Sequence, residues 1–194
     1  VAAAFRRSYV DAVLPLFFPR DAGLDFTVFP VYWDYQILSD CRPTPRDTVR
    51  LIVSGNDDSL AFAFAQTNEM DPGLRGAFRT HLSNHGMSLR WRRDLGAGAR
   101  HSIGARAAYN VNEGAAGPNI DYRFASVEAS FRDELELRVS RELRLFLGAD
   151  VVTGRLDTRV RAPARPEEGV PPDPIAGSEI IEYRSDRTLF NPAV

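Results

Sequence analysis

The segment Phe29-Pro30-Val31-Tyr32-Trp33-Asp34-Tyr35-Gln36-Ile37 carries a large apolar or aromatic side chain at every odd position and a more polar set between them. Successive side chains of a β-strand point to opposite faces, so this alternation predicts a strand with one apolar face. After the proline-containing break at residues 43–47, Val49, Leu51 and Val53 repeat the pattern. The break predicts a turn, and the two runs predict a hairpin.

The same alternation recurs further along the chain and predicts two more hairpins. The first turns at Asp94-Leu95-Gly96-Ala97-Gly98-Ala99 and the second near Ser140-Arg141-Glu142. The apolar positions of their four strands are Met87, Leu89, Trp91; Ile103, Ala105, Ala107, Tyr109; Val127, Ala129, Phe131, Leu135, Leu137; and Leu143, Leu145, Leu147, Ala149, Val151. We therefore expect an all-β chain of about seven to eight antiparallel strands.

The predicted connections alternate between short and long. Longer polar or Pro/Gly-rich segments are expected at residues 61–75 and 162–184, with a shorter one at 113–119. Tight turns would then lie at one end of the sheet and mostly long loops at the other. This alternation is typical of outer-membrane β-barrels.

Composition excludes several classes of function. All 24 basic residues are Arg, and with 26 acidic residues the net charge is −2 without a basic stripe, so a nucleic-acid partner is not expected. Cys41 is the only cysteine, which excludes a disulfide within the chain and a thiolate metal cluster. No run of 18 apolar residues predicts a transmembrane helix, and Val1–Arg7 lacks the layout of a signal peptide.

Alternation by itself fits a soluble barrel or a secreted β-sandwich, such as a binding or adhesin module, as well as a membrane barrel. Strand lengths of roughly 12 to 20 residues and aromatic side chains near the ends of the apolar runs favour the membrane. On this interpretation Trp33, Leu51, Trp91 and Leu145 face lipid, whereas Asp34, Arg50, Arg90, Arg106, Glu128 and Arg132 face the lumen.

The membrane interpretation predicts that one odd-numbered set shares a single face of one antiparallel sheet. The set is Phe29, Val31, Trp33, Val49, Leu51, Val53, Leu89, Trp91, Ile103, Ala105, Val127, Ala129, Leu145 and Leu147. None of these residues is ionisable.

The residues that could take part in catalysis or metal binding are scattered along the chain. We predict that the protein is not an enzyme and that it has no catalytic, cofactor-binding or metal site and no cofactor. His81 and His85 would lie roughly 13 Å apart on a strand, too far to share an ion. Asp57-Asp58 and Glu167-Glu168 are expected to be solvated loop carboxylates. Arg6-Arg7 and the Arg90/Arg92 pair could bind anionic ligand or lipopolysaccharide phosphate, but pairing with carboxylates of the lumen or of a plug domain is the favoured interpretation.

One strand breaks the pattern of polarity. Strict alternation above Trp91 would turn His85, Ser83 and His81 toward hydrocarbon with no evident partner. A one-residue bulge at Gly86 would exchange the faces and send these polar side chains to the opposite side, turning Phe78, Thr80 and Leu82 outward. We therefore hypothesise a bulge there; the alternative is that the strand has left the membrane by His85.

Three segments resemble the barrel domain of TonB-dependent receptors of GC-rich proteobacteria and myxobacteria. They are Phe5-Arg6-Arg7-Ser8-Tyr9-Val10-Asp11-Ala12, Tyr32-Trp33-Asp34-Tyr35-Gln36, and the returning strand from Asp47 that opens into Gly55-Asn56-Asp57-Asp58. These motifs are moderately specific and lie in the first 60 residues, while the strand rhythm extends over most of the chain.

The resemblance implies that residues 1–194 are part of a 22-stranded barrel wall in the outer membrane of a Gram-negative bacterium. Its partners would be outer-membrane lipid, a plug domain of the same protein that is absent from this sequence, the TonB protein acting through that plug, and a small-molecule ligand. Receptors of this kind take up scarce ligands such as siderophores or cobalamin. Loops near residues 61–75 and 162–184 would meet the ligand. We also expect a fragment because the chain ends Leu189-Phe190-Asn191-Pro192-Ala193-Val194, without a final strand that ends in an aromatic residue.

Overall fold

The computed structural model describes residues 1–10, 12–13, 26–28, 31–64, 76–164 and 179–193, and its strands form one antiparallel sheet. The strands are β1 (Ala2–Arg7), β2 (Phe26–Val28), β3 (Val31–Cys41), β4 (Asp47–Phe64), β5 (Gly76–Gly96), β6 (Ala99–Ala116), β7 (Ile120–Arg138), β8 (Arg144–Pro163) and β9 (Ile180–Ala193). Their order in the sheet is β1-β3-β4-β5-β6-β7-β8-β9, and β2 pairs with β4 in line with β3. The all-β antiparallel prediction is confirmed, with eight strands side by side and an open sheet, since no pairing among the described residues joins β1 to β9.

Three tight turns lie at one end of the sheet, as predicted. The β3–β4 turn closes with the Asp47 amide donating to the Thr44 carbonyl at 3.2 Å, and the β7–β8 turn closes between Val139 and Leu143 at 3.0 Å. The β5–β6 turn needs positive φ at Gly96, Ala97 and Gly98, which explains the two glycines because they adopt this conformation without a steric cost.

At the other end of the sheet, the strands extend further than the sequence indicated. Strand β4 continues to Phe64, and residues 113–116 belong to β6 instead of a connection, leaving only the turn 117–119 before β7. Strands β8 and β9 likewise take up residues 162–163 and 180–184. The remaining loop residues, 65–75 and 165–178, lie outside the described residues, and with them the predicted ligand-contacting loops and Glu167-Glu168.

The registers put residues of equal parity on the same face. From β1 to β8 the strands pair odd positions with odd and even with even, except at Gly96↔Ala99 in the β5–β6 turn. Strand β9 pairs with β8 in the opposite parity, so its even positions join the odd positions of the other strands. We call the two sides the odd face and the even face. The predicted odd-numbered set shares the odd face, with Phe29 outside the described residues.

The hypothesis of a bulge at Gly86 is wrong. Gly86 pairs with Ser54 on one side and with Ala108 on the other, and the register is unbroken through His85 and Met87, which therefore share a face. The change of polarity along β5 that suggested a bulge has a different origin, because the neighbouring strands change polarity at the same level.

A single layer leaves both faces open. Among the described residues Val111 is the only buried hydrophobic side chain, at 5% exposure. The described part of the chain contains no helix that is long and apolar enough to cross a membrane.

Candidate functional site: the two faces of the sheet

An apolar band crosses the odd face next to the tight turns. Its members are Val49, Leu51, Val53, Met87, Leu89, Trp91, Ile103, Ala105, Ala107, Val127, Ala129, Phe131, Leu145, Leu147, Ala149 and Val151. Met87, Val127 and Leu147 are each more than half exposed. An apolar surface that runs across five long strands is far more extensive than isolated exposed side chains and indicates an apolar environment or partner.

The border of the band at the turn end is polar and hydrogen-bonded. Trp91 packs in the band, and its indole Nε1 donates to Asp47 at 2.9 Å. Asp47 also accepts a hydrogen bond from the Thr44 hydroxyl at 2.5 Å. Beside them His101 meets Trp91 edge-on and lies 2.5 Å from Asp133, the carboxylate that enters the band from β7. The rings thus present an apolar body to the band and a polar group to its edge.

Aromatic rings also form the opposite border, above the backbone of Gly55. The Tyr35 hydroxyl lies 3.2 Å from His85 Nδ1, and the Ser83 hydroxyl lies 3.1 Å from His85 Nε2. Trp33 stacks on Tyr35 with ring centroids 6.0 Å apart. A Cβ atom on Gly55 would come within 2.3 Å of His85 and 2.7 Å of Tyr35, so the absence of a side chain makes room for these rings.

Beyond this aromatic border the odd face becomes charged. His81 lies between two carboxylates, with Nε2 2.9 Å from Asp57 and Nδ1 3.2 Å from Glu113. Arg123 binds the other oxygen of Glu113 at 3.0 Å. The hydrogen bond to Asp57 is the main cause that raises the pKa of His81 above its ordinary value; burial lowers this pKa, and the hydrogen bond to Glu113 raises it by less than the bond to Asp57. His81 therefore has partners, contrary to the expectation from the sequence.

The even face also changes polarity at the level of Gly55, but from charged to apolar with increasing distance from the tight turns. Near the turns it carries the arginines and carboxylates, whereas beyond the level of Gly55 it carries Leu82, Tyr122, Phe124, Ile181 and Tyr183. The Tyr122 ring covers Gly114, where a Cβ atom would come within 2.7 Å. The apolar and polar faces thus exchange along the strands without any change of register, which is the origin of the break seen in β5.

Near the turns, the even face holds a row of arginines. Arg50 makes a bidentate ion pair with Asp40 at 2.7 and 2.8 Å, and Arg132 pairs with Asp150. Arg90 stands directly opposite Arg50 on the neighbouring strand, and among the described residues it has no carboxylate within 4.0 Å. Gly104 separates Arg90 from Arg132 and opens a cavity of about 560 Å³.

The sequence-predicted site residues divide between the two faces. Trp33, Leu51, Trp91 and Leu145 lie on the odd face; Asp34, Arg50, Arg90, Arg106, Glu128 and Arg132 lie on the even face. Asp34 binds Arg6 at 2.7 Å. The pairings made by Asp40, Asp150 and Glu113 were not predicted, because only the register shows which side chains become neighbours across strands. No group of three or more described His, Cys, Asp or Glu side chains is arranged to hold a metal ion.

No model of a known protein family matches this sequence, and a comparison with curated proteins finds no significant relative.

Proposed function

We propose that this chain forms part of the wall of a transport barrel in the outer membrane of a Gram-negative bacterium, of the TonB-dependent receptor type. The observation that carries the proposal is the exposed apolar band, which lies on one face of a single sheet with strands β4 to β8 of 18 to 21 residues. A strand needs about 9 to 11 residues to cross the apolar core of a membrane, so these strands are long enough to cross and to project beyond it.

The two faces support the same assignment. Lipid solvates an apolar outer band flanked by aromatic rings, and a wide lumen solvates a polar inner face of mixed charge. A soluble sheet would cover its apolar face with a second layer, and the described residues provide only one sheet. The secreted sandwich is therefore the weaker alternative. The resemblance of residues 5–12, 32–36 and 47–58 to receptor wall strands supports the assignment to a receptor that takes up a scarce ligand such as a siderophore or cobalamin.

The membrane assignment is tested by spin labels on opposite faces of the same two strands. In the full-length protein carrying Cys41→Ser, nitroxide labels would be placed at Leu51→Cys and Leu89→Cys on the odd face. Ser54→Cys and Ser88→Cys are the matched even-face controls. In reconstituted bilayers we expect the odd pair to be accessible to oxygen and shielded from a water-soluble nickel complex, relative to the even pair. Equal accessibility of both pairs to the nickel complex would contradict a lipid-facing band.

The transport assignment requires a separate test. A strain that lacks the gene should lose growth on one class of scarce ligand, supplied as the only iron or cobalamin source. Loss of TonB should cause the same defect. Uptake of every ligand tested at the wild-type rate in both strains would leave the membrane assignment standing and refute the receptor function.

A further inference from the structure

We propose that the arginine row on the even face is a binding site for a small, multiply charged oxyanion. Five arginines approach one another there from four adjacent strands: Arg50 on β4, Arg90 and Arg92 on β5, Arg106 on β6 and Arg132 on β7. All five line the same cavity of about 560 Å³, a volume within the usual range of small-molecule sites.

The inner arginines lack counter-charges, in contrast to the outer ones. Asp40 and Asp150 neutralise Arg50 and Arg132 at the two ends of the row. Arg90, Arg92 and Arg106 form no ion pair with any described carboxylate, although Glu128 and Glu134 lie on the same face. Three uncompensated positive charges thus lie close together on the even face of β5 and β6, and like charges on neighbouring strands are destabilising. A bound anion would offset this repulsion.

The centre of the cluster is open, and Asp150, which pairs with Arg132, is the one carboxylate among the described residues that line the cavity. A Cβ atom on Gly104 would meet no heavy atom within 4 Å, so the floor between Arg90 and Arg132 is clear. The hydroxyls of Thr48, Ser88 and Ser130 also line the cavity. Guanidinium groups bind carboxylate and phosphate oxygens in pairs, so a ligand with several such oxygens can engage more than one arginine.

This inference is independent of the membrane placement. It depends on the registers of β4 to β7 and on the charges of the even face, which are the same whether the odd face meets lipid or another partner. A failed spin-label experiment would therefore leave the anion site intact, and a failed anion experiment would leave the membrane assignment intact.

Calorimetry on the full-length protein in detergent at low ionic strength tests the site, with pyrophosphate and citrate as phosphate and carboxylate probes. We expect saturable binding of at least one probe, weakened by added salt. Arg90→Gln and Arg106→Gln should each reduce the affinity about tenfold or more, since each removes charge-assisted hydrogen bonds. Arg100→Gln is the control, because Arg100 lies on the same face but outside the cavity and pairs with Glu136 at 3.1 Å.

Correct folding of each variant is checked by its circular dichroism spectrum and its melting temperature, and Arg90→Lys and Arg106→Lys should restore part of the affinity. The proposal is overturned if neither probe binds, or if binding survives both Gln substitutions. Phenylglyoxal modification identifies the alternative occupant. Protection of Arg90 and Arg106 in the anion-free protein would show that an acidic polypeptide segment covers them, and would also overturn the proposal.

Discussion

At the scale of single residues, two glycines of neighbouring strands have different roles. Gly55 lies beneath Tyr35 and His85, where any Cβ atom would overlap their rings. The nearest atom to a Cβ on Gly86 would be the Ala107 carbonyl oxygen at 3.5 Å, an ordinary contact. The sequence suggested a special role for Gly86, whereas in the structure it is Gly55 that has no room for a side chain.

We expect Gly55→Ala to destabilise the folded protein by about 1 to 3 kcal/mol, because the added methyl group forces Tyr35 and His85 out of place. Gly86→Ala should change stability by less than about 1 kcal/mol, since a compatible Gly→Ala change also reduces the entropy of the unfolded chain. Reversible unfolding in urea with lipid vesicles measures both variants. Equal losses in the two would argue against the close packing over Gly55.

At the scale of the strand, β5 shows what the sequence could and could not predict. Period-two alternation correctly gave its hairpin with β6 and the odd positions that share a face. The loss of alternation near His85 was also visible, but one strand cannot reveal whether its neighbours change at the same level. The register supplies that information, because it places Asp57 and Glu113 beside His81 and shows that the faces exchange across several strands.

Residues 113–116 were misassigned for a related reason. A stretch of small residues near Gly117-Pro118 favours a turn when each residue is considered by itself. In the sheet, Gly114 pairs with Tyr122, whose ring covers the position of the missing side chain. Contact across the strands thus overrides the weak local preference.

His81 joins three strands, and its contribution should depend on pH. Because its pKa is raised in the folded protein, the stabilisation is fully present below the unfolded value of about 6.5 and is lost as pH rises through the folded value. We expect the difference in unfolding midpoint between wild type and His81→Gln to shrink over that interval. Asp57→Asn should weaken this pH dependence, since Asp57 makes the largest contribution to the shift. If the difference in unfolding midpoint between wild type and His81→Gln is constant from pH 5 to pH 9, the predicted role of His81 is wrong.

At the scale of the whole molecule, the middle of the apolar band, away from the polar border at Asp47 and Asp133, should tolerate no charge. Leu51→Arg in the full-length protein should cost about 2 to 4 kcal/mol in bilayers if the residue lies near the middle of the membrane. The even-face control Gln36→Arg should change stability by only about 0.5 kcal/mol. Unfolding free energies in lipid vesicles provide the comparison, and a Leu51→Arg barrel as stable as the control would remove the support for lipid contact.

In a bilayer, the exchange of polarity between the faces would also fix the depth at which the sheet lies. In a bilayer, sliding the sheet along its strands in one direction would draw His81, Asp57 and Glu113 into hydrocarbon, and sliding it in the other would draw in Asp47. Movement in either direction is therefore opposed. On the side away from the tight turns, residues 57–64 of β4 continue for roughly 26 Å along the strand, at about 3.3 Å per residue. The sheet would thus have one preferred depth in the membrane. The long strand ends would project into water on one side, and only the tight turns would do so on the other.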